Sequence, residues 1–152
     1  MADVRIRTAR REERPRIVEL LADDDLGRGR EHPAEDLSPY AAAFMDLEED
    51  PRNELIVVEE EGKVIATLQL TFIPSLTHTG GERAQVEGVR IAAGSRSTGV
   101  GRQPLEWAIS RAQKRGCKTV QLTTDKRRAE ARRFYEALGF GATHEGVKLK
   151  LR

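Results

Sequence analysis

Cys117 is the only cysteine in the chain, so no internal disulfide can form, and a reducing compartment fits this. Just before a predicted strand, Cys117 reads as a small buried apolar residue rather than as a nucleophile. No apolar run approaches the roughly 18 residues of a membrane span, and the N-terminus has no apolar stretch of the signal-peptide kind. The expectation is a cytoplasmic protein with no membrane association. Aromatic residues make up only 5% of the chain and the net charge is +1, which argues against a nucleic-acid surface. There are no internal repeats and no low-complexity segment. A length of 152 residues suits a single domain spanning 1–152 with one hydrophobic core.

The near-zero net charge conceals an uneven distribution. Residues 1–95 carry 12 Lys and Arg against 20 Asp and Glu, whereas residues 96–152 carry 14 against 5. A basic C-terminal part suits a polyanion and an acidic N-terminal part suits a cation. The alternative is that these charges line solvated helix faces. That alternative also covers the basic run Lys126, Arg127, Arg128, Arg132 and Arg133, which could otherwise meet the phosphates of a nucleic acid.

The rest of the chain is organised around residues 86–101. Ala84 and Val86 are in phase on one face of a strand, but Val89 and Ile91 are one residue out of phase, with Gly88 between the pairs. A phase slip beside a glycine predicts a β-bulge. A bulge leaves backbone groups without ladder partners, and an extended ligand carrying amides can satisfy them. From Arg96 the chain reads Arg-Ser-Thr-Gly-Val-Gly and enters an apolar stripe of Leu105, Ala108, Ile109 and Ala112, the spacing of an amphipathic helix. Gly99 and Gly101 therefore fall at a helix N-terminus, where unpaired N–H groups and the helix dipole favour an anion such as a phosphate. Two other phosphate loops fail here. Val100-Gly101 stands where a Walker loop needs Lys-Ser/Thr, and Pro104 stands where the dinucleotide fingerprint needs its third glycine.

Taken in order, the alternation of apolar residues predicts a strand over 4–8. A helix is expected over 11–23, with Ile17, Leu20 and Leu21 inward and Pro15 in its first turn. A polar loop over 23–37 follows, containing His32. Ser38-Pro39 signals a second helix with serine as N-cap and with Tyr40, Phe44 and Leu47 along one face. Strands over 53–61 and 63–73 form a mostly half-buried antiparallel hairpin around Glu61-Gly62. The loop over 74–81 carries His78. After the bulged strand and the long helix, a strand over 119–124 is expected in parallel, through a right-handed crossover. A helix over 128–138 carries Ala131, Phe134, Tyr135 and Leu138 on one stripe and stops at Gly139. Val147, Leu149 and Leu151, alternating with Lys148, Lys150 and Arg152, predict a closing strand. Pro104 is expected to distort the long helix. Trp107 lies off the main stripe, and the sequence leaves open whether it covers the first helix or the subunit interface of a homodimer.

Arg96-x-x-Gly99-x-Gly101, a second strand, and then Ala131-x-x-Phe134-Tyr135-x-x-Leu138-Gly139-Phe140 together resemble two motifs of the GCN5-related N-acetyltransferase (GNAT) superfamily, over roughly residues 82–142. The resemblance implies an α/β fold, a central mixed β-sheet with a bulged strand and helices on both faces. It implies transfer of acetyl from acetyl-CoA to an amine acceptor by direct attack in a ternary complex, without a metal. The cofactor would lie against Val89, Arg90 and Ile91 of the bulged strand and against Arg96, Ser97, Thr98, Gly99, Val100, Gly101 and Arg102. Where the second motif often has asparagine, this chain has Arg128, which cannot accept a hydrogen bond and is expected to reach a coenzyme A phosphate instead.

An alkyl amine is only about one part in a thousand neutral at pH 7, so a base is needed. Glu87 stands where the family carries a carboxylate, with His78, Glu82 and solvent as alternatives, and an exposed strand carboxylate paired with Arg83 or Arg90 as the bland reading. Tyr135 matches the tyrosine that donates to the departing thiolate; without the loop it would read as a core aromatic. A coenzyme A-binding regulator without catalysis would keep the loop and need neither Glu87 nor Tyr135. The acceptor, a small molecule or a peptide N-terminus, would be framed by the loops over 23–37 and 74–81. Asp23, Asp24, Asp25, Glu31, Glu35 and Asp36 in the first of these suggest a cation.

Overall fold

The computed structural model describes residues 4–33, 35–96 and 98–152, apart from the side chain of Asp25. A five-stranded mixed sheet runs in the order β1-β2-β3-β4-β5: β1 (Val4–Thr8), β2 (Asn53–Glu60), β3 (Lys63–Ile73), β4 (Arg83–Ile91) and β5 (Thr119–Leu122). The first three pairings are antiparallel, while β4 and β5 are parallel. The β2–β3 hairpin turns on Glu61 and Gly62, both at positive φ, as a two-residue turn between twisted strands requires.

Successive strand residues face opposite sides, and Ile56 and Val57 divide the core accordingly. Ile56 joins Leu68, Leu70, Phe72, Ala84 and Val86 under Leu105, Ala108 and Ala112 of α5 (Arg102–Arg115). Val57 joins Ile17 of α1 (Arg14–Ala22) and Phe44 of α3 (Ser38–Glu49) on the other face. Helices thus cover both faces. The centre of β3 is consequently buried on both sides from Ile65 to Leu68, more deeply than its alternation predicts. There the hydroxyl of Thr67 donates to the Ile56 carbonyl oxygen at 3.0 Å, so this buried hydroxyl is not left unpaired.

Several local expectations are corrected. The first helical segment is a 3-10 turn (Arg11–Glu13) followed by α1. The loop after α1 contains a short helix, α2 (Asp25–Arg28), capped by the Asp24 carboxylate, which accepts from Gly27 N. Ser38 does not cap α3; its own N–H and hydroxyl donate to Asp36 Oδ1 at 2.9 and 2.6 Å. The single turn α4 (Thr77–Gly80) holds His78 and Thr79 at left-handed φ. Pro104 is only the third residue of α5. The first four N–H groups of a helix have no intrahelical partner, so Pro104 removes no bond. Trp107 packs partly on the α5 side of the core.

β5 ends at Leu122 and α6 spans Ala129–Ala137. The closing strand is absent, and residues 141–152 are exposed and without regular structure. Alternation supplies one apolar face, but a strand also needs a ladder partner, and this segment has none among the described residues.

Candidate active site

The β-bulge lies where the phase slip predicts it. On β3 the register advances two residues, Thr67 to Gln69, while on β4 it advances three, Arg90 to Glu87. The extra residue is accommodated by Gly88 at φ +60, a left-handed conformation that glycine adopts without a Cβ clash. The ladder between β4 and β5 stops at Val86 and Leu122, although β4 continues to Ile91. From Glu87 onward the edge of β4 turned toward β5 has no strand partner.

The second half of the site is the turn before α5. Thr98, Gly99, Val100 and Gly101 donate their N–H groups to no partner among the described residues. Gly99 has φ +84 and open space where a Cβ would be. At Gly101 a Cβ would face Ile91 Cγ1 at 3.6 Å and Phe134 Cζ at 3.7 Å. The turn, the end of β4 and α6 therefore border one cleft. Four donors and the N-terminal end of a 14-residue helix suit phosphate oxygens. Ser97 lies outside the described residues.

Arg96 lies at this turn with its guanidinium engaged: Nε donates to the Ile91 carbonyl oxygen at 3.1 Å and Nη2 to that of Asp23 at 3.0 Å. It closes the turn against the end of α1. Arg102 is exposed and pairs with Glu106 at 3.2 Å. Val89 and Ile91 are half-buried against the core.

Tyr135 projects from α6 among Phe134 and Phe140, both edge-on, with ring centroids 5.5 and 5.9 Å away. Its hydroxyl has no hydrogen-bond partner among the described residues. Burial pushes its pKa up, against the opposing pull of Arg90 and Arg128, so the phenol is protonated at neutral pH. Beside it Arg128 Nη1 reaches Asp24 Oδ2 at 2.7 Å. Arg90, whose side chain is only 12% exposed, approaches the same oxygen with Nε at 3.5 Å and makes no hydrogen bond through that nitrogen. Burial opposes ionisation of Asp24, but the Gly27 N–H and both arginines prevail and hold its pKa below the usual value. Arg128 is thus engaged with Asp24 rather than extended toward the turn. The sequence signalled Asp24 only as one acid in a run of three.

Glu87 is exposed on the bulge, and its carboxylate pairs with neither Arg83 nor Arg90. Glu82 is held elsewhere, by Arg115 at 2.6 Å beside the C-terminal end of α5. His78 is exposed in α4, before β4 begins. The acids of the loop over 23–37 are largely engaged: Asp23 lies 3.6 Å from Arg96, Glu31 is 2.6 Å from Arg30 and Asp36 binds Ser38. Of the basic run, Arg127 pairs with Asp125 and Arg132 with Glu136, each at 2.8 Å. A concavity of about 710 Å³ lies away from this cleft, bordered by Phe44, Glu54, Trp107 and Arg111; neither Tyr135 nor the glycine turn lines it. Among the described residues there is no group of three or more His, Cys, Asp or Glu able to hold a metal, and no helix long and apolar enough to cross a membrane.

A bulged strand that loses its parallel neighbour thus lies beside a helix start whose N–H groups are unpartnered among the described residues. The Acetyltransferase (GNAT) family profile matches residues 14–140, and the chain belongs to that family. Its members use acetyl-CoA, and by family the protein is an acetyltransferase. A structure described as a transcriptional regulator from Bacillus halodurans C-125 is 46% identical, with a TM-score of 0.93 over 98% of this chain and 100% of that one. Glucosamine-6-phosphate N-acetyltransferase from Arabidopsis thaliana shares the fold at 20% identity and TM-score 0.82, over 99% of each chain. A protein from Clostridium acetobutylicum described as a predicted acetyltransferase, solved with acetyl-CoA, shares it at 22% identity and TM-score 0.76, over 98% of this chain and 97% of that one. No curated protein matches the chain.

Proposed function

We propose that the protein transfers the acetyl group of acetyl-CoA directly to a primary amine, with both substrates bound together. The observation that carries this reading is the unpaired edge of β4 beyond Val86, which lies beside four unpartnered N–H groups at the start of α5. Acetyl-CoA supplies a thioester as the acyl donor. The donors of Thr98, Gly99, Val100 and Gly101 hold its phosphates, and the β4 backbone around Val89, Arg90 and Ile91 pairs with the amides of its pantetheine arm. Arg96 holds the turn closed and adds positive charge, as does Arg102.

The amine nitrogen bonds to the acyl carbon, the carbon–sulfur bond breaks, and the amine loses a proton. Glu87, exposed and unpaired among the described residues, takes that proton directly or through water, whereas Glu82 is paired with Arg115. Tyr135 donates a hydrogen bond to the departing thiolate. With a phenol near 10 and a thiol near 8.5, full proton transfer is uphill by about 2 kcal/mol, and the raised pKa of Tyr135 makes it steeper. Tyr135 therefore stabilises developing charge, with the proton moving late.

The Bacillus halodurans relative is described as a transcriptional regulator, which keeps a second reading in view, a coenzyme A-binding regulator. Such a protein needs the turn but neither Glu87 nor Tyr135. Because the loop acids are mostly paired, the acceptor panel should include amines with and without a carboxylate or phosphate. The test follows thiol release from acetyl-CoA across that panel, with calorimetry of coenzyme A binding in parallel. Acceptor-dependent release supports the enzyme; tight binding with no release across the panel supports the regulator.

A further inference from the structure

We propose that the acceptor is a primary amine carrying an anionic group, and that Arg90 and Arg128 hold that group beside the bulge so that the amine meets Glu87. This inference rests on the acetyl-transfer reading and names the substrate class of the same site. In the β3–β4 ladder Thr67 stands opposite Arg90 and Gln69 opposite Glu87. Opposite residues share a face of the sheet, and Thr67 and Gln69 are two residues apart, so Glu87 and Arg90 leave the sheet on the same side. Two residues of strand span about 7 Å, a separation that one small molecule can bridge.

On that side two guanidiniums meet one carboxylate. Asp24 Oδ1 already accepts from Gly27 N to cap α2, which leaves Oδ2 for both arginines. Arg128 Nη1 takes it at 2.7 Å. Arg90 Nε stands 3.5 Å from the same oxygen and, although buried, hydrogen-bonds to nothing among the described residues. The one hydrogen bond of the Arg90 guanidinium among these residues runs from Nη1 to the Val89 carbonyl oxygen at 2.8 Å. An arginine cannot shed its charge, and a buried donor without a partner costs free energy.

The nearby acids do not make up the difference. Asp23 faces Arg96, and Glu31 is taken by Arg30 at 2.6 Å, while Arg30 adds to the positive field at Arg90. The oxygens of a carboxylate or a phosphate fit the fork of donors that Asp24 fills only in part. The place also suits a substrate. At Gly88 a Cβ would meet Leu21 Cδ2 at 3.6 Å, so the end of α1 closes over the bulge. Tyr135, assigned to the departing thiolate, feels the charges of both guanidiniums, which puts the anion near the thioester. An acceptor with a second positive charge would be repelled there.

The test uses the full chain and matched pairs of amines, following thiol release from acetyl-CoA: β-alanine against β-alaninamide, and O-phosphoethanolamine against ethanolamine. The anionic member should have the higher kcat/KM by at least about tenfold, and the pair with the larger ratio tells a carboxylate site from a phosphate site. Arg128→Gln should bring the ratio toward unity through the acceptor KM, and Arg128→Lys should keep part of it; the lysine variant carries the test if the glutamine variant folds poorly. Coenzyme A affinity, by calorimetry, should hold in both. Ratios near unity in both pairs overturn the proposal, as does an Arg128→Gln protein that keeps the ratio or loses coenzyme A affinity instead. If no amine releases thiol, the same compounds are titrated into the coenzyme A complex. Preferential binding of the anionic members, lost in Arg128→Gln, then keeps the anion site and removes the transfer reading, whereas equal or absent binding overturns both.

Discussion

Arg128, just before α6, contacts Asp24, the N-cap of α2, at 2.7 Å, and this ion pair ties the start of α6 to the junction of α1 and α2. Both side chains are about three-quarters buried, so the pair is shielded more than a surface ion pair and less than a core one. Arg90 shares the carboxylate. The acidic run that reads as bait for a cationic acceptor is therefore occupied in large part by the protein's own arginines.

Asp24→Asn keeps a side-chain oxygen to cap α2 and removes the charge, so it isolates the ion pairs. Leaving two partly buried guanidiniums uncompensated should cost about 1–2 kcal/mol at pH 7. The folded Asp24 pKa is depressed, so its contribution is present above the unfolded carboxylate pKa, about 3.9, and disappears as pH falls through the lower folded value. Urea unfolding of both proteins should show the full gap at pH 7 and a narrowing gap below about pH 4. A gap independent of pH would mean that Asp24 acts only as a cap.

Gly101→Glu probes the phosphate site. A Cβ there meets Ile91 and Phe134 at ordinary contact distances, so the fold should survive while a negative charge enters the cleft. Coenzyme A affinity should fall at least tenfold, about 1.4 kcal/mol. Unchanged affinity by calorimetry would remove the turn from the binding site.

The elements legible in the sequence are those whose partners are close along the chain. β1 and β3 follow from alternation, the hairpin from Glu61-Gly62, and the bulge from the phase slip at Gly88. What escaped reading depends on distant groups. The contact of Arg96 with the Asp23 carbonyl spans 73 residues of chain. Nothing in the chain order brings Asp24 to Arg128, with which it pairs. Pro104 reads as a fault because the glycine turn suggests a helix beginning near Gly99, whereas α5 begins at Arg102. The closing strand has the right alternation, but it has no ladder partner among the described residues.

Glu87→Gln tests the base. The carboxylate is exposed and carries no ion pair that the substitution would break, so stability should change by less than about 0.5 kcal/mol. Turnover should fall by about 10²-fold or more near neutral pH. Raising the pH should recover part of this, because the amine then supplies its own neutral form. A deficit that does not vary with pH, or no deficit, would assign deprotonation to solvent or to His78.

Tyr135 is subject to two separable demands. Its ring meets Phe134 and Phe140 edge-on, and its hydroxyl is bonded to nothing among the described residues. Tyr135→Phe keeps the ring contacts and leaves no partner unsatisfied, so thermal unfolding should shift by no more than about 0.5 kcal/mol in equivalent stability. The same substitution removes the one donor assigned to the departing thiolate, and loss of a positioned acid costs about 10²–10⁴-fold in rate. Turnover should fall by that order, while acetyl-CoA affinity stays near normal because the phosphate donors are untouched. Thiophenol-type acyl donors, whose leaving groups need less help, should show a smaller deficit than acetyl-CoA. A destabilised protein with normal turnover would return Tyr135 to the core and leave the thiolate without an assigned donor.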